Sequence, residues 1–209
     1  MQSSTEDGFV ASATVERSRL RRSAAEVAPT LLGLLVRRRS ALGDVIARIV
    51  EVEAYDQDDP ASHANGGPTA RNAAMFADAG RAYVYLSYGI HRCLNVVVDE
   101  PGRGAGVLLR AARVEAGHAL VRPRRPAARR DADLLRGPGC LGAGLDISLD
   151  FAGHDLLGGG PLTLESDGHV VPEAAVRVGT RIGIRKAAER PWRWWITGMP
   201  EVSGPRASH

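Results

Sequence analysis

The chain has 209 residues, 44% of them hydrophobic, enough for one sizeable core, and its formal net charge of +3 is too small to mark a strongly basic protein. Cys93 and Cys140 are its only cysteines, too few for a disulfide scaffold or a four-cysteine zinc site, so a reduced, intracellular protein is expected. No apolar run approaches the roughly 18 residues that span a bilayer, and Met1 to Glu6 lacks a signal-peptide pattern, so no membrane partner is expected.

Residues 1–22 mix Ser, Glu and Arg without a period and read as a mobile leader, with a domain over 23–203 and a mobile tail over 204–209. Ser23 and Glu26 have capping-box spacing, and a short helix follows toward Gly33, strained by Pro29. Leu34 to Arg38 and Val45 to Tyr55 are β-prone runs joined by a loop containing Gly43, a hairpin pattern. Side chains alternate across a strand, so Glu51, Glu53 and Tyr55 share one face while Val50, Val52 and Ala54 share the packed one.

Asp56 to Arg71 reads as a long loop carrying His63, and Asn72 to Phe76 as a helical turn. Tyr83 to Leu86 and Cys93 to Val98 form a second hairpin pattern turning at Tyr88-Gly89, which sets a ring at an exposed tip. Val107 to Arg110 predicts a strand, and Ala112 to Val121 and Asp131 to Leu135 predict helices. Between those helices Arg122, Arg124, Arg125, Arg129 and Arg130 share a proline-rich stretch, followed by Arg136. Both a solvated loop and a phosphate-tracking loop fit it. Gly137-Pro138-Gly139 breaks the chain, and strands are expected at Leu162 to Glu165, Ala175 to Val178 and Trp192 to Thr197. The mixture implies an α+β fold in one domain with mostly antiparallel pairing.

All four tyrosines lie between Tyr55 and Tyr88, in a chain only 5% aromatic, and Glu53 precedes the first by two residues. Two acids on one strand face suit divided acid and base roles, or one is salt-bridged to an arginine; spacing does not choose between Glu51 and Glu53. His63 has no second histidine at metal spacing, so no metal or cofactor is expected. Trp192, Trp194 and Trp195 read as packing residues.

The run Ile49-Val50-Glu51-Val52-Glu53-Ala54-Tyr55 resembles the alkyladenine (3-methyladenine) DNA glycosylases of the eukaryotic type. Further matches are Ala61-Ser62-His63, Arg71-Asn72, Met75-Phe76, Tyr83-Val84-Tyr85, Tyr88-Gly89, Asn95, Leu108-Leu109-Arg110-Ala111 and Gly137-Pro138-Gly139, in family order from Ser23 to Val202. The resemblance implies a curved, mostly antiparallel sheet with a protruding hairpin that enters the DNA minor groove. On it Tyr88 matches the intercalating residue, Tyr55, His63 and Tyr85 the rings that sandwich a flipped purine, and Asn95 a pocket residue that disfavours guanine. Glu53 matches the general base that activates water, and Arg110 a residue holding that water.

The implied partner is double-stranded DNA containing a damaged purine such as 3-methyladenine, hypoxanthine or ethenoadenine, bound by a monomer. Lys186 is the only lysine and the chain opens Met1-Gln2 rather than with proline, so a monofunctional hydrolase without lyase activity is expected. The chain departs from the family pattern at Ala70, often proline, at Cys140, often basic, and at His91, an aromatic position in some relatives. A non-catalytic nucleic-acid-binding module is the alternative reading, and a metal-dependent hydrolase using Glu53 and His63 a third.

Overall fold

The computed structural model describes residues 13–204, and within them nine strands form one curled antiparallel sheet with three short helices, the α+β architecture expected. The strands are β1 (Ala13–Thr14), β2 (Leu35–Ser40), β3 (Gly43–Tyr55), β4 (Ala82–Ser87), β5 (His91–Val97), β6 (Gly106–Ala116), β7 (Leu162–Ser166), β8 (Val176–Gly179) and β9 (Arg193–Ile196). The helices are α1 (Ala24–Val27), α2 (His118–Arg124) and α3 (Pro138–Gly144). Spatial order runs β1-β7-β2-β3-β6-β5-β4, with β9 and β8 branching from β3. None of these helices is long and apolar enough to cross a membrane.

That branch builds the site. β2 covers the first half of β3, pairing Ser40 with Gly43 through Leu35 with Arg48. Beyond it β9 takes over, setting Trp195, Trp194 and Arg193 opposite Glu51, Val52 and Glu53. Between the halves the pairing of β3 with β6 shifts register around Val50. A bulge inserts one residue and so reverses which parity faces the core. Val45, Ala47 and Ile49 enter the core before it, but Val52 and Ala54 after it. Without that step the odd series would carry Glu51 and Glu53 into the apolar layer. β6 makes the same switch, from Val107 and Leu109 to Ala112 and Val114, and Arg110, which precedes it on the face opposite Leu109, reaches the acids.

Three expectations need correction. The helix over Ala112 to Val121 is instead the end of β6 followed by α2, because Ala112 and Val114 pair with β3 and bury there; tertiary pairing outweighs a helix-prone composition. Gly117 ends the strand at φ +85, where a Cβ would meet the Asp44 carbonyl at 2.4 Å. The helix over Asp131 to Leu135 is a single 3-10 turn at Asp131–Asp133. Placed structure begins before Ser23: β1 pairs with β7, Leu20 is buried, and Arg17 bridges to Asp155 at 2.7 Å. The rest of the expected leader and of the tail, 1–12 and 205–209, lies outside the described residues.

Arg129 apart, the arginine-rich stretch is tied into the fold. Arg124 donates to the Gly144 carbonyl, Arg125 to the Leu134 carbonyl and the Cys140 thiol, Arg130 to Asp133 and Arg136 to the Val202 carbonyl. Arg125 thus brings a guanidinium to Cys140, the position after Gly137-Pro138-Gly139. α3 lies so close on β5 that a Cβ at Gly142 would sit 1.9 Å from the Arg92 carbonyl, and this contact braces the tip end of the β4–β5 hairpin, where Arg92 pairs with Leu86.

Candidate active site

Glu51 and Glu53 are fully buried, so the face carrying them is a covered polar layer, not the open surface that alternation suggests. A buried carboxylate is tolerated only with donors around it. Glu51 receives Arg110 Nε at 3.0 Å, Arg193 Nε at 2.6 Å, and the Ser203 amide and hydroxyl at 2.6 and 3.0 Å. Three of these donors converge on Oε1 and the Ser203 amide holds Oε2, and none of them lines the cavity described below.

Glu53 is held differently. Its Oε1 accepts from the Ile182 amide at 2.7 Å and lies 3.1 Å from Arg110 Nη1, while Oε2 accepts only the Tyr55 hydroxyl, at 2.8 Å. One acceptor position on Oε2 therefore stays open. Burial and the charge of Glu53 push the Tyr55 phenol far above its ordinary pKa, which keeps it a donor. Burial works against the Arg110 charge, yet Glu53 and Glu51 outweigh it and hold the guanidinium firmly protonated.

Beside this pair lies a cavity of about 180 Å³ lined by Tyr55, His63, Met75, Tyr83, Tyr85 and Asn95, with Gly183 and Ile184 completing the wall. Its volume is below that of pockets for drug-sized ligands, and its rings suit one flat heterocycle. His63 and Tyr85 meet edge to face at 4.5 Å, and Tyr83 stacks on Tyr85 at 5.7 Å. No ring contact among the described residues joins this group to Tyr55, so the cavity separates them. The Asn95 amide donates to the Tyr83 carbonyl at 3.1 Å and is buried with its remaining polar edge beside the cavity.

The His63 loop is anchored from below. The Asn72 amide donates to the carbonyls of His63 and Gly67 at 2.8 and 3.0 Å. His63 Nδ1 lies 2.9 Å from the Tyr83 hydroxyl. Burial, with the charge of Arg71, lowers the His63 pKa and leaves the ring neutral near pH 7. Tyr83 is therefore part of the cavity wall and orients His63, a role its place in the strand pattern does not reveal.

The β4–β5 hairpin ends at Tyr88, 86% exposed, with φ +50 at Tyr88 and +73 at Gly89. A left-handed tyrosine is costly and exposed, a combination that marks contact sites. Sequence reasoning groups Glu53, Tyr55, His63, Tyr85, Asn95 and Arg110 around one place, and the fold brings them together there; Tyr88 lies apart, at the hairpin tip. The sequence does not single out Arg193, Ser203, Arg181 or the Ile182 amide. Only the need of two inward acids for cations signals them, and it does not say which. Among the described residues no group of three or more His, Cys, Asp or Glu side chains is placed to hold a metal.

A half-open buried carboxylate beside an aromatic slot for one ring is the site of a hydrolase acting on a flat base. The family model for methylpurine-DNA glycosylase matches residues 18–200. Relatives named provisionally as 3-methyladenine DNA glycosylases include one from Frankia casuarinae, 49% identical across 86% of this chain and 87% of its own. Another, from Nocardia farcinica, is 48% identical across 85% of each chain, and one from Burkholderia lata is 42% identical across 92% of each. The chain belongs to the methylpurine-DNA glycosylase family and is a DNA glycosylase.

Proposed function

We propose that this glycosylase extrudes an alkylated or deaminated purine from duplex DNA and hydrolyses its N-glycosidic bond with water activated by Glu53. The open acceptor position on Glu53 Oε2, next to an aromatic slot, carries this reading. A water bound there loses its proton to the carboxylate as its oxygen attacks C1′ of the deoxyribose, and the bonding pair leaves with the base. The carboxylate also stabilises the cationic sugar in the transition state, while Arg110 and the Ile182 amide fix its orientation. Glu51, whose donors lie away from the cavity, serves to hold Arg110.

The base stacks between Tyr55 and the His63–Tyr85 pair, and Asn95 meets its edge. Unstacking costs a few kcal/mol, of which these rings and Tyr88, inserted into the vacated space, return part. The side chains of Arg71, Arg92, Arg129, Arg185 and Lys186 make no hydrogen bond or ion pair among the described residues. Arg71 lines a recess at the hairpin, Arg92 is on the hairpin itself, and Arg185 and Lys186 follow the cavity wall. Free cations so placed suit the phosphates flanking an extruded nucleotide. The enzyme acts as a monomer and, with a water nucleophile, leaves the abasic strand uncut.

Duplexes carrying hypoxanthine, ethenoadenine or 3-methyladenine, scored for released base and strand scission, test the reading. Release of free base with an intact strand is expected; binding without release from any of the three would instead identify a damage-binding module.

A further inference from the structure

Behind Tyr55 lies a cation that takes no part in the chemistry above. Arg181 is fully buried, ion-paired with Asp59, and bonded to the carbonyls of Ala54 and Ala187 at 2.9 and 3.2 Å. Its guanidinium carbon stands 4.6 Å from the centre of the Tyr55 ring and 5.3 Å from that of Trp192, and its Nε has no hydrogen-bond partner. Arg181 lines no part of the cavity although Tyr55 does, so the ring separates the guanidinium from the bound base.

We propose that Arg181 is a specificity-determining residue which, through Tyr55, shifts base capture away from cationic purines and toward neutral ones. An aromatic face attracts a cation through its quadrupole, and a cation already on one face weakens that attraction at the other. A base stacked on Tyr55 also lies near enough to the guanidinium to feel its charge directly in a low-dielectric interior. Asp59 compensates this charge at longer range, but the guanidinium is the group in face contact with the ring. Neutral heterocycles lose little from such a platform, whereas N-alkylated cationic purines lose part of their advantage. This rests on the base-capture reading above.

The test is equilibrium binding to duplexes whose target sugar carries 2′-fluorine, which blocks cleavage and isolates capture. One duplex carries cationic 7-methylguanine, one neutral ethenoadenine and one no lesion. The double variant Asp59→Asn/Arg181→Gln removes both charges together and so strands neither in the interior. It is expected to tighten binding of the cationic duplex relative to the neutral one by about fivefold, the order of one cation–π contact. Arg181→Lys keeps the charge and should retain the wild-type ratio. A ratio unchanged in the double variant, or shifted equally in Arg181→Lys, overturns the assignment. Failure of the wild-type protein to prefer either lesion over the undamaged duplex overturns base capture itself, and this assignment with it.

Discussion

The placement of their partners distinguishes Glu53 from Glu51, two acids that spacing cannot separate. Every donor to Glu51 stands away from the cavity, whereas Glu53 Oε2 accepts only from Tyr55, a residue of the cavity wall. Glu51→Gln leaves Arg193 and Ser203 imperfectly paired in the interior and should cost about 2–4 kcal/mol, read by denaturant unfolding. His63 makes a prediction of opposite character. Its folded pKa is depressed below the ordinary value of 6.5, so the unfolded chain binds the proton first. The stability it contributes is therefore complete above about pH 6.5 and is lost as pH falls from there through the folded value. Midpoints measured between pH 7.5 and 5 should drop, and His63→Gln should flatten that drop. The pairing of Glu53 with Tyr55 was legible because both lie on one strand two residues apart. Arg193 and Ser203 were not, being 142 and 152 residues from Glu51.

At the level of elements, the register shift at Val50 aims the site. Deleting Val50 closes the bulge and leaves plain alternation in which Val45, Ala47, Ile49, Val52 and Ala54 share the core face and both acids the polar one, so the variant should keep a cooperative unfolding transition, at a lower midpoint because Val50 is itself buried. The hairpin tip shows the cost of a contact residue. Asparagine accepts the left-handed conformation that Tyr88 adopts at φ +50. Tyr88→Asn should therefore stabilise the free protein by roughly 0.5–1 kcal/mol, seen in thermal melts, while weakening binding to a damaged duplex about tenfold. Both hairpins were legible because β-prone runs flank Gly43 and Gly89. The bulge was not, since Val50 continues the apolar pattern and only the pairing of β3 with β6 shows the extra residue. For the same reason the second half of β6 reads as a helix until its partner is known.

Across the described residues most arginines are paired within the fold, and of those that are not, Arg71, Arg92 and Arg185 lie near the cavity and hairpin. The net charge of +3 therefore understates the field that DNA meets. Replacing Arg71 or Arg185 with Gln should reduce the slope of log affinity against log salt by about one for each phosphate no longer neutralised, with little dependence on the lesion. The fold class and the aromatic slot followed from alternation and from the family motifs. The branching of β9 from β3, which covers the acids, depends on long-range pairing that no local pattern encodes. The central claim is that Glu53 activates the water. Single-turnover release of hypoxanthine by wild-type protein and by Glu53→Gln, measured alongside binding to the same duplex, tests it most directly. Release should fall by at least about a hundredfold with binding retained; release at the wild-type rate by Glu53→Gln would contradict it.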